Sequence, residues 1–245
     1  MKKLLLMILM ILPLAVVSGC SCHKFDISTY ESAVKNFDNS TAFEYELTIT
    51  TKVDGNDYYT REESKNKYLL TTTGEVYDFS SEMKSYKILT PANSPEGAPS
   101  LIYELYRYYV GEENKFYTKE IAENSRELKK VETISYTEKY SDLTSPYNRA
   151  NLVPVFTSAD LGGFQISNIE GKNGFSTSLF TAPVPSHLQS TDELALYSIT
   201  MNKDFYFETI EFVVVNGATT TTYQYKFLNF NNDVELVFPA ELVSY

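Results

Sequence analysis

The chain has 245 residues, a formal net charge of −11, 20 tyrosines, 15 phenylalanines and no tryptophan. This length favours one domain with a substantial core, and the acidic balance argues against nucleic acid as a partner. Only two cysteines are present, Cys20 and Cys22, so no disulfide framework is expected in the fold. The many tyrosines, phenylalanines and threonines favour β-strands.

The first 20 residues carry the parts of a bacterial secretion signal in the usual order. Lys2 and Lys3 precede an apolar run at residues 4–17, which is too short to span a bilayer. The run leads into Val17-Ser18-Gly19-Cys20, which resembles the lipobox of bacterial lipoprotein precursors. This resemblance implies cleavage before Cys20 and a diacylglyceryl group on its sulfur. An ordinary secretory signal with a chance cysteine is the alternative.

The predicted anchor determines the expected organisation and location of the chain. Residues 1–19 are the expected signal peptide, 20–27 a polar tether, and 28–245 a single domain. Removing the signal takes away two lysines and no acidic residue, so the net charge of −11 becomes −13. Two acyl chains on one cysteine suffice for stable attachment. The predicted location is therefore the extracytoplasmic face of the cell membrane, and the role of Cys22 stays open.

A short amphipathic helix is predicted to open the domain at residue 28. Tyr30, Ala33, Val34 and Phe37 follow a spacing of three and four residues, which places them on one helical face. An apolar stripe of this kind needs a surface to cover.

Period-two alternation then predicts a series of strands. The first strand has Phe43, Tyr45, Leu47 and Ile49 on one face and ends at the hairpin signal Asp54-Gly55. The return strand at 57–64 is far more polar, which is typical of an edge strand or a solvated rim. Further strands are predicted at 67–73, 76–79, 83–89, 115–121 and 128–139.

The middle of the chain predicts a loop and two more helices. Residues 90–100 hold three prolines and a glycine and indicate a surface loop. A second short helix is predicted from residues that fall on one helical face, namely Leu101, Ile102, Leu105, Tyr106 and Tyr109. A third helix is expected near 149–157, where Pro154 interrupts it.

The final third predicts two more strands at 164–169 and 175–180, and then a long loop at 181–193. A four-stranded meander follows, with strands at 194–201, 206–215, 219–228 and 234–238. Its second turn is Asn216-Gly217, and Asn-Gly between alternating apolar runs is a strong hairpin signal.

Together these elements predict an α+β fold. We expect a large curved antiparallel sheet, a half-barrel of about 10–11 strands, with about two or three short helices covering its concave face. The order of lipobox, helix, alternating strands, helical segment and meander resembles the LolA-like and LppX/LprG-like lipoproteins and carriers. The ending at Val234, Leu236, Phe238 and Pro239 matches the apolar-x-apolar-x-x-Pro ending of that superfamily. Its half-barrel holds acyl chains beneath helices, so the resemblance implies a hydrophobic, lipid-like ligand.

Fourteen apolar and aromatic residues are candidates for the lining of such a cavity between sheet and helices. They are Tyr30, Phe37, Phe43, Tyr45, Leu47, Ile49, Leu105, Tyr109, Ile210, Phe212, Val214, Tyr223, Tyr225 and Phe227. The same residues can instead fill a packed core, and the sequence leaves the two alternatives open.

The sequence offers little for catalysis. Its only histidines are His23, in the tether, and His187, in the loop at 181–193, and neither G-x-S-x-G nor H-E-x-x-H occurs. Glu44 and Glu46 alternate with the apolar face of the first strand and are expected to face solvent. We therefore predict a protein that is not an enzyme, with no catalytic residue, metal or cofactor.

A second function is compatible with the same elements. The protein can be a non-catalytic envelope or surface interaction module that binds protein or glycan through the loops at 90–100 and 181–193. In this alternative the sheet serves only as the scaffold, and the protein partner is unknown.

Overall fold

A computed structural model of the chain describes residues 27–71, 76–90, 96–112, 115–122, 132–135, 164–166, 173–177 and 194–238. These residues form one α-helix, eleven strands and one 3-10 turn. The helix is α1 (Ile27–Asp38) and the 3-10 turn is Asn231–Asp233. The strands are β1 (Ala42–Val53), β2 (Tyr58–Leu70), β3 (Val76–Leu89), β4 (Ser100–Val110), β5 (Lys115–Ala122), β6 (Glu132–Ser135), β7 (Phe164–Ile166), β8 (Asn173–Thr177), β9 (Leu194–Met201), β10 (Phe207–Asn216) and β11 (Thr219–Phe230).

All eleven strands belong to a single antiparallel sheet. Their order is β6-β5-β4-β3-β2-β1-β11-β10-β9-β8-β7, and the sheet is open and curved. The first strand pairs with the last one, with Leu47 opposite Tyr225 and Thr50 opposite Thr222. Each half of the chain therefore extends from the centre of the sheet to its own edge. The predicted large antiparallel half-barrel is confirmed.

Helix α1 lies on one face of this sheet, called the inner face below. The predicted stripe is confirmed, because Tyr30, Ala33 and Phe37 are buried and Val34 packs against the same core. The helix is also fastened at one end of the sheet. Asn36 Nδ2 donates hydrogen bonds of 3.1 Å to the backbone oxygens of Asp204 and Phe205, in the turn between β9 and β10.

The predicted second helix at 101–109 is wrong, because these residues form strand β4. Leu105 and Tyr109 lie four residues apart, so both a helix and a strand place them on one face. Tyr108, whose side chain points to the opposite face, is buried as well. A strand that is buried on both faces loses the simple alternation of apolar and polar residues, and its apolar residues then match a helical spacing.

The sequence suggested that the polar return strand lies at an edge of the sheet or at a solvated rim. In the structure this strand is not at an edge. Instead of four short strands between residues 57 and 89, there are two long ones, and β2 lies between β1 and β3. Asn66 of β2 shows this position, because it lies opposite Tyr45 of β1 on one side and opposite Ser81 of β3 on the other. Residues 58–64 are nevertheless all partly exposed, as in the predicted solvated rim, whereas Asn66 further along the strand is buried.

The chain leaves the sheet after β11, so the predicted fourth strand of the meander at 234–238 is wrong. Both sides of β11 are already paired, one with β10 and one with β1, and no free edge remains beside it. The segment crosses the outer face instead. Lys67 Nζ donates to the backbone oxygen of Glu235 at 2.9 Å, and the rings of Tyr108 and Phe238 are 6.3 Å apart.

Three glycines define turns at the strand ends. The predicted hairpin turns are confirmed at Gly55 and Gly217, whose φ angles of 87° and 58° favour glycine. Gly111, between β4 and β5, is required for a different reason. A Cβ atom at this position would lie 2.1 Å from the backbone oxygen of Tyr77.

The remaining predictions are only partly covered. The strands at 115–121, 164–169 and 175–180 correspond to β5, β7 and β8, and β6 lies within 128–139. The third helix near 149–157, the loop at 181–193 and the signal and tether lie outside the described residues. Among the helices that the structure describes, none has the length and apolar character needed to cross a membrane.

Candidate functional site

The inner face has an apolar half, formed by β9, β10, β11 and β1 and called the apolar wing. Helix α1 covers this wing through Phe37, whose ring centroid lies 5.4 Å from that of Phe43 and 5.6 Å from that of Phe227. Tyr30 contacts Phe207 in an edge arrangement at 6.3 Å. The alternation of β-strand side chains brings these rings to one surface, and offset or edge contacts stabilise such rings beyond their burial.

A row of aromatic rings extends from the apolar wing across the rest of the sheet. Phe43, Tyr68, Phe79 and Tyr109 are neighbours on β1, β2, β3 and β4. Their consecutive ring distances are 5.0, 5.7 and 6.4 Å. Cross-strand aromatic pairs of this kind are the usual unit of sheet stabilisation, and they continue the inner face well beyond the helix.

The next row is different once it leaves the apolar wing. Tyr45 of β1 is followed by Asn66, Ser81 and Arg107 on β2, β3 and β4. Asn66 is 0% exposed and Ser81 2% exposed. The inner face of β2, β3 and β4 beyond the aromatic row, called the polar wing, therefore contains buried polar side chains, beside the apolar pair Met83 and Leu105.

Hydrogen bonds within the polar wing run along and between the strands. Asn66 Nδ2 donates to Ser64 Oγ at 2.9 Å, and Ser85 Oγ donates to Glu62 Oε1 at 3.3 Å. Tyr103 lies on the same face, and burial, with the negative charge of Glu120, raises the pKa of its hydroxyl. Glu120 also forms a side-chain hydrogen bond with this hydroxyl, so the Tyr103 hydroxyl already has a partner.

Two more tyrosines of the inner face have raised pKa values. Burial raises the pKa of Tyr197 on the apolar wing and, together with Asp78, that of Tyr109 in the aromatic row. A protonated phenol combines a large apolar ring with a polar tip. The inner face thus presents rings and hydroxyls without adding negative charge.

The structure places all fourteen predicted lining residues on this surface. Tyr30 and Phe37 come from α1, and the other twelve point to the inner face of the sheet. Eleven belong to one buried cluster, while Ile49 and Tyr223 are partly buried beside it. Leu105 is buried on the polar wing, opposite Met83. That these residues line a cavity remains a prediction.

Sequence reasoning missed the polar wing and part of the aromatic row. Asn66, Ser81 and Arg107 were not candidates, nor were Tyr68 and Phe79. The signal was present in β2, where Glu62, Ser64, Asn66 and Tyr68 alternate at spacing two. It is recognisable only when the register against β1 is known, because the register decides which alternate set points inward.

The outer face carries a network of charged residues instead. Glu46 lies 3.7 Å from Lys65 and 3.6 Å from Lys226, on the two neighbouring strands. Glu44 pairs with Lys67 at 3.5 Å and accepts a hydrogen bond from Asn229. Both carboxylates therefore lie on the face opposite the apolar core. The Glu46 side chain is 36% exposed, as predicted for a residue that faces solvent, whereas that of Glu44 is only 13% exposed. Exposed pairs such as those of Glu46 each contribute little to stability.

No catalytic or metal site emerges from the part of the chain that the structure describes. The described residues contain no group of three or more His, Cys, Asp or Glu that could hold a metal ion, and His23 and His187 lie outside them. The described end of the loop at 90–100 is attached to the sheet. Gly97 N donates to the backbone oxygen of Leu89, and the Tyr59 hydroxyl donates to Glu96.

Fold and inner face together define an open antiparallel half-barrel with an amphipathic helix laid across its apolar wing. No family model and no curated protein matches the chain. Similar solved structures include the lipoprotein LppX of Mycobacterium tuberculosis, with 11% identity, a TM-score of 0.38, and coverage of 86% of this chain and 97% of that one. Another is LprF from Mycobacterium bovis, with 9% identity, a TM-score of 0.42, and coverage of 87% and 96%.

A LolA superfamily protein from Nitrosomonas europaea is also similar, with 8% identity, a TM-score of 0.26, and coverage of 89% of this chain and 97% of that one. Each TM-score lies below 0.5, so we assign no function from these likenesses.

Proposed function

We propose that the protein is a membrane-anchored extracytoplasmic lipoprotein that binds a hydrophobic, lipid-like ligand between the sheet and helix α1. The observation that carries this proposal is the continuous aromatic and aliphatic inner face, from β9 to β4, on a sheet far wider than the helix that covers it. Lipid on Cys20 would hold this face close to a source of such ligands.

The dimensions of sheet and helix support the proposal. Eleven strands, at about 4.8 Å between neighbours, span about 48 Å along the curved sheet. Helix α1 has 12 residues and is therefore about 18 Å long and about 10 Å wide. The apolar inner face therefore extends beyond the footprint of this helix, to Tyr68 and Phe79, which are themselves buried.

The margin of the buried cluster is the part of the inner face suited to contact a ligand. Fully buried rings such as Phe37 and Phe43 pack against one another, whereas Ile49 and Tyr223 are only partly buried beside them. An acyl chain laid along this margin would gain about 0.8 kcal/mol of favourable free energy for each methylene group that it buries. About ten methylenes would give about 8 kcal/mol, from which the costs of association, at least about 4 kcal/mol, are subtracted; the remainder of about 4 kcal/mol corresponds to millimolar affinity, and a longer chain or a second chain would bind more tightly.

The first experiment examines the mature chain, residues 20–245, produced without lipid on Cys20. Native mass spectrometry of the gently purified protein, followed by organic extraction, is expected to show a discrete added mass that extracts as lipid. An unoccupied protein that also fails to take up a supplied fatty acyl methyl ester would contradict the proposal.

A matched pair of variants tests the location. Ile49→Asp places a charge on the inner face, and Thr50→Asp places the same charge on the outer face of the same strand; both residues are partly exposed. We expect Ile49→Asp to weaken binding of the acyl ester at least tenfold, about 1.4 kcal/mol, and Thr50→Asp to leave it unchanged. Equal effects of the two variants would place the ligand elsewhere.

A further inference from the structure

The polar wing contains a buried hydrogen-bond acceptor that no described residue satisfies. Asn66 is 0% exposed, and its Nδ2 donates to Ser64. Its Oδ1 is buried and has no hydrogen-bond partner among the described residues. Leaving a buried acceptor unpaired is costly, so the position favours a ligand that brings a donor.

The groups around Asn66 indicate which kind of donor. Its neighbour across the strand is Ser81, and Ser64 and Ser85 add two more hydroxyls on the same face. A ligand hydroxyl both donates and accepts, and it therefore complements the serine hydroxyls as well as the amide acceptor.

The polar wing also lies directly beside the apolar wing. Asn66 is opposite Tyr45 on the adjacent strand, and neighbouring strands are separated by about 4.8 Å. One small amphiphile can therefore place its chain on the apolar margin and its head group on the polar wing.

Resting on the function proposed above, we propose that Asn66, Ser81 and their neighbours form a subsite for a hydroxyl-bearing head group, such as that of a glycerolipid or a glycolipid. Asn66 Oδ1 accepts a hydrogen bond from a ligand hydroxyl, and the serine hydroxyls complete the contacts. The apolar wing binds the chain, and the polar wing selects the head group.

Three probes of related structure test this subsite on the mature chain, residues 20–245. They are monodecanoylglycerol, methyl decanoate and glycerol, measured by calorimetry below the critical micelle concentration of the monoglyceride. We expect the monoglyceride to bind about tenfold more tightly than the methyl ester, and glycerol alone to bind far more weakly than either.

The decisive variant is Asn66→Leu, which replaces the amide with an apolar group of similar size. It is expected to lower monoglyceride affinity about tenfold and to leave methyl decanoate affinity unchanged. Its melting temperature without ligand should be equal to or higher than that of the wild type, because an unsatisfied acceptor has been removed. A lower melting temperature of the ligand-free variant would instead show that Asn66 has a structural role and would overturn the proposal.

A second pair of variants avoids dependence on a single substitution. Ser81→Ala removes a buried inner-face hydroxyl, whereas Ser80→Ala removes one from the outer face of the same strand. Only the first should reduce the preference for the monoglyceride. Equal binding of both decanoyl probes to the wild type, or an equal effect of the two serine variants, would overturn the head-group subsite while leaving chain binding intact.

The remaining outcomes separate the two proposals. Failure of both decanoyl probes to bind would contradict the proposed function itself. If glycerol binds as tightly as monodecanoylglycerol, the ligand is a free polyol, and the proposal of an amphiphilic ligand is overturned.

Discussion

Phe37 is the side chain of helix α1 that packs against the most rings of the apolar wing. The substitution Phe37→Ala therefore tests the packing of the described core directly. The side chain is 1% exposed. Its ring lies within 5.4 to 6.4 Å of four others, those of Phe43, Phe207, Phe227 and Phe230. Truncation removes about 2 to 3 kcal/mol of burial free energy and leaves a cavity beneath the helix.

We expect the free energy of unfolding to fall by about 4 kcal/mol, a large part of the 5 to 15 kcal/mol typical of a domain. The measurement is urea denaturation followed by circular dichroism, and the expected shift of the melting temperature is about 10 °C. Val34→Ala is the matched control, because Val34 is only partly buried on the same helix; its cost should stay below about 1.5 kcal/mol. A loss below about 1 kcal/mol for Phe37→Ala would refute the packing of α1 on the apolar wing.

Two further substitutions test the helix attachment and the outer face. Asn36→Ala removes two hydrogen bonds to the turn between β9 and β10; we expect a loss of about 1 to 2 kcal/mol in urea unfolding, and no loss would contradict the attachment. The hydrogen bond to Glu104, followed by burial, raises the pKa of Tyr106 to about 12. The folded state holds this proton more tightly than the unfolded state does. The contribution of the protonated Tyr106 hydroxyl to the free energy of unfolding is therefore complete below pH 10 and is lost as the pH rises through about 12. Tyr106→Phe should therefore flatten the decline of stability across this range, and an unchanged decline would contradict the assignment.

Local patterns in the sequence predicted the elements whose two faces differ in polarity. Strand β1 alternates Phe43, Tyr45 and Leu47 with charged and polar residues, and its two faces contact a packed core and a charged surface respectively. The apolar stripe of helix α1 and the turns at Gly55 and Gly217 were predicted from the sequence equally well. In each of these cases the local preference and the environment in the fold agree.

Where the two faces of a strand do not differ in polarity, the prediction from the sequence was wrong. Tyr108 of β4 is buried on the outer face, where Phe238 packs against it, and the inner face of β4 is buried too. A helix and a two-sided strand were then indistinguishable by spacing. The pairing of β1 with β11 could not be predicted either, since it joins residues that are 166 or more positions apart, such as Val53 and Thr219, and leaves no local pattern.

The failure at β2 is different in kind and bears on function. Polar alternation ordinarily indicates that a strand faces water, and this is why the strand resembled an edge. Asn66 and Ser81 are instead buried at the centre of a sheet, where aliphatic residues would stabilise the fold more. Proteins keep unfavourable residues of this kind where binding requires them. The same feature that made the sequence hard to interpret at β2 is thus the observation on which the proposed head-group subsite rests, since a half-barrel with a purely apolar interior would have aliphatic residues at these positions.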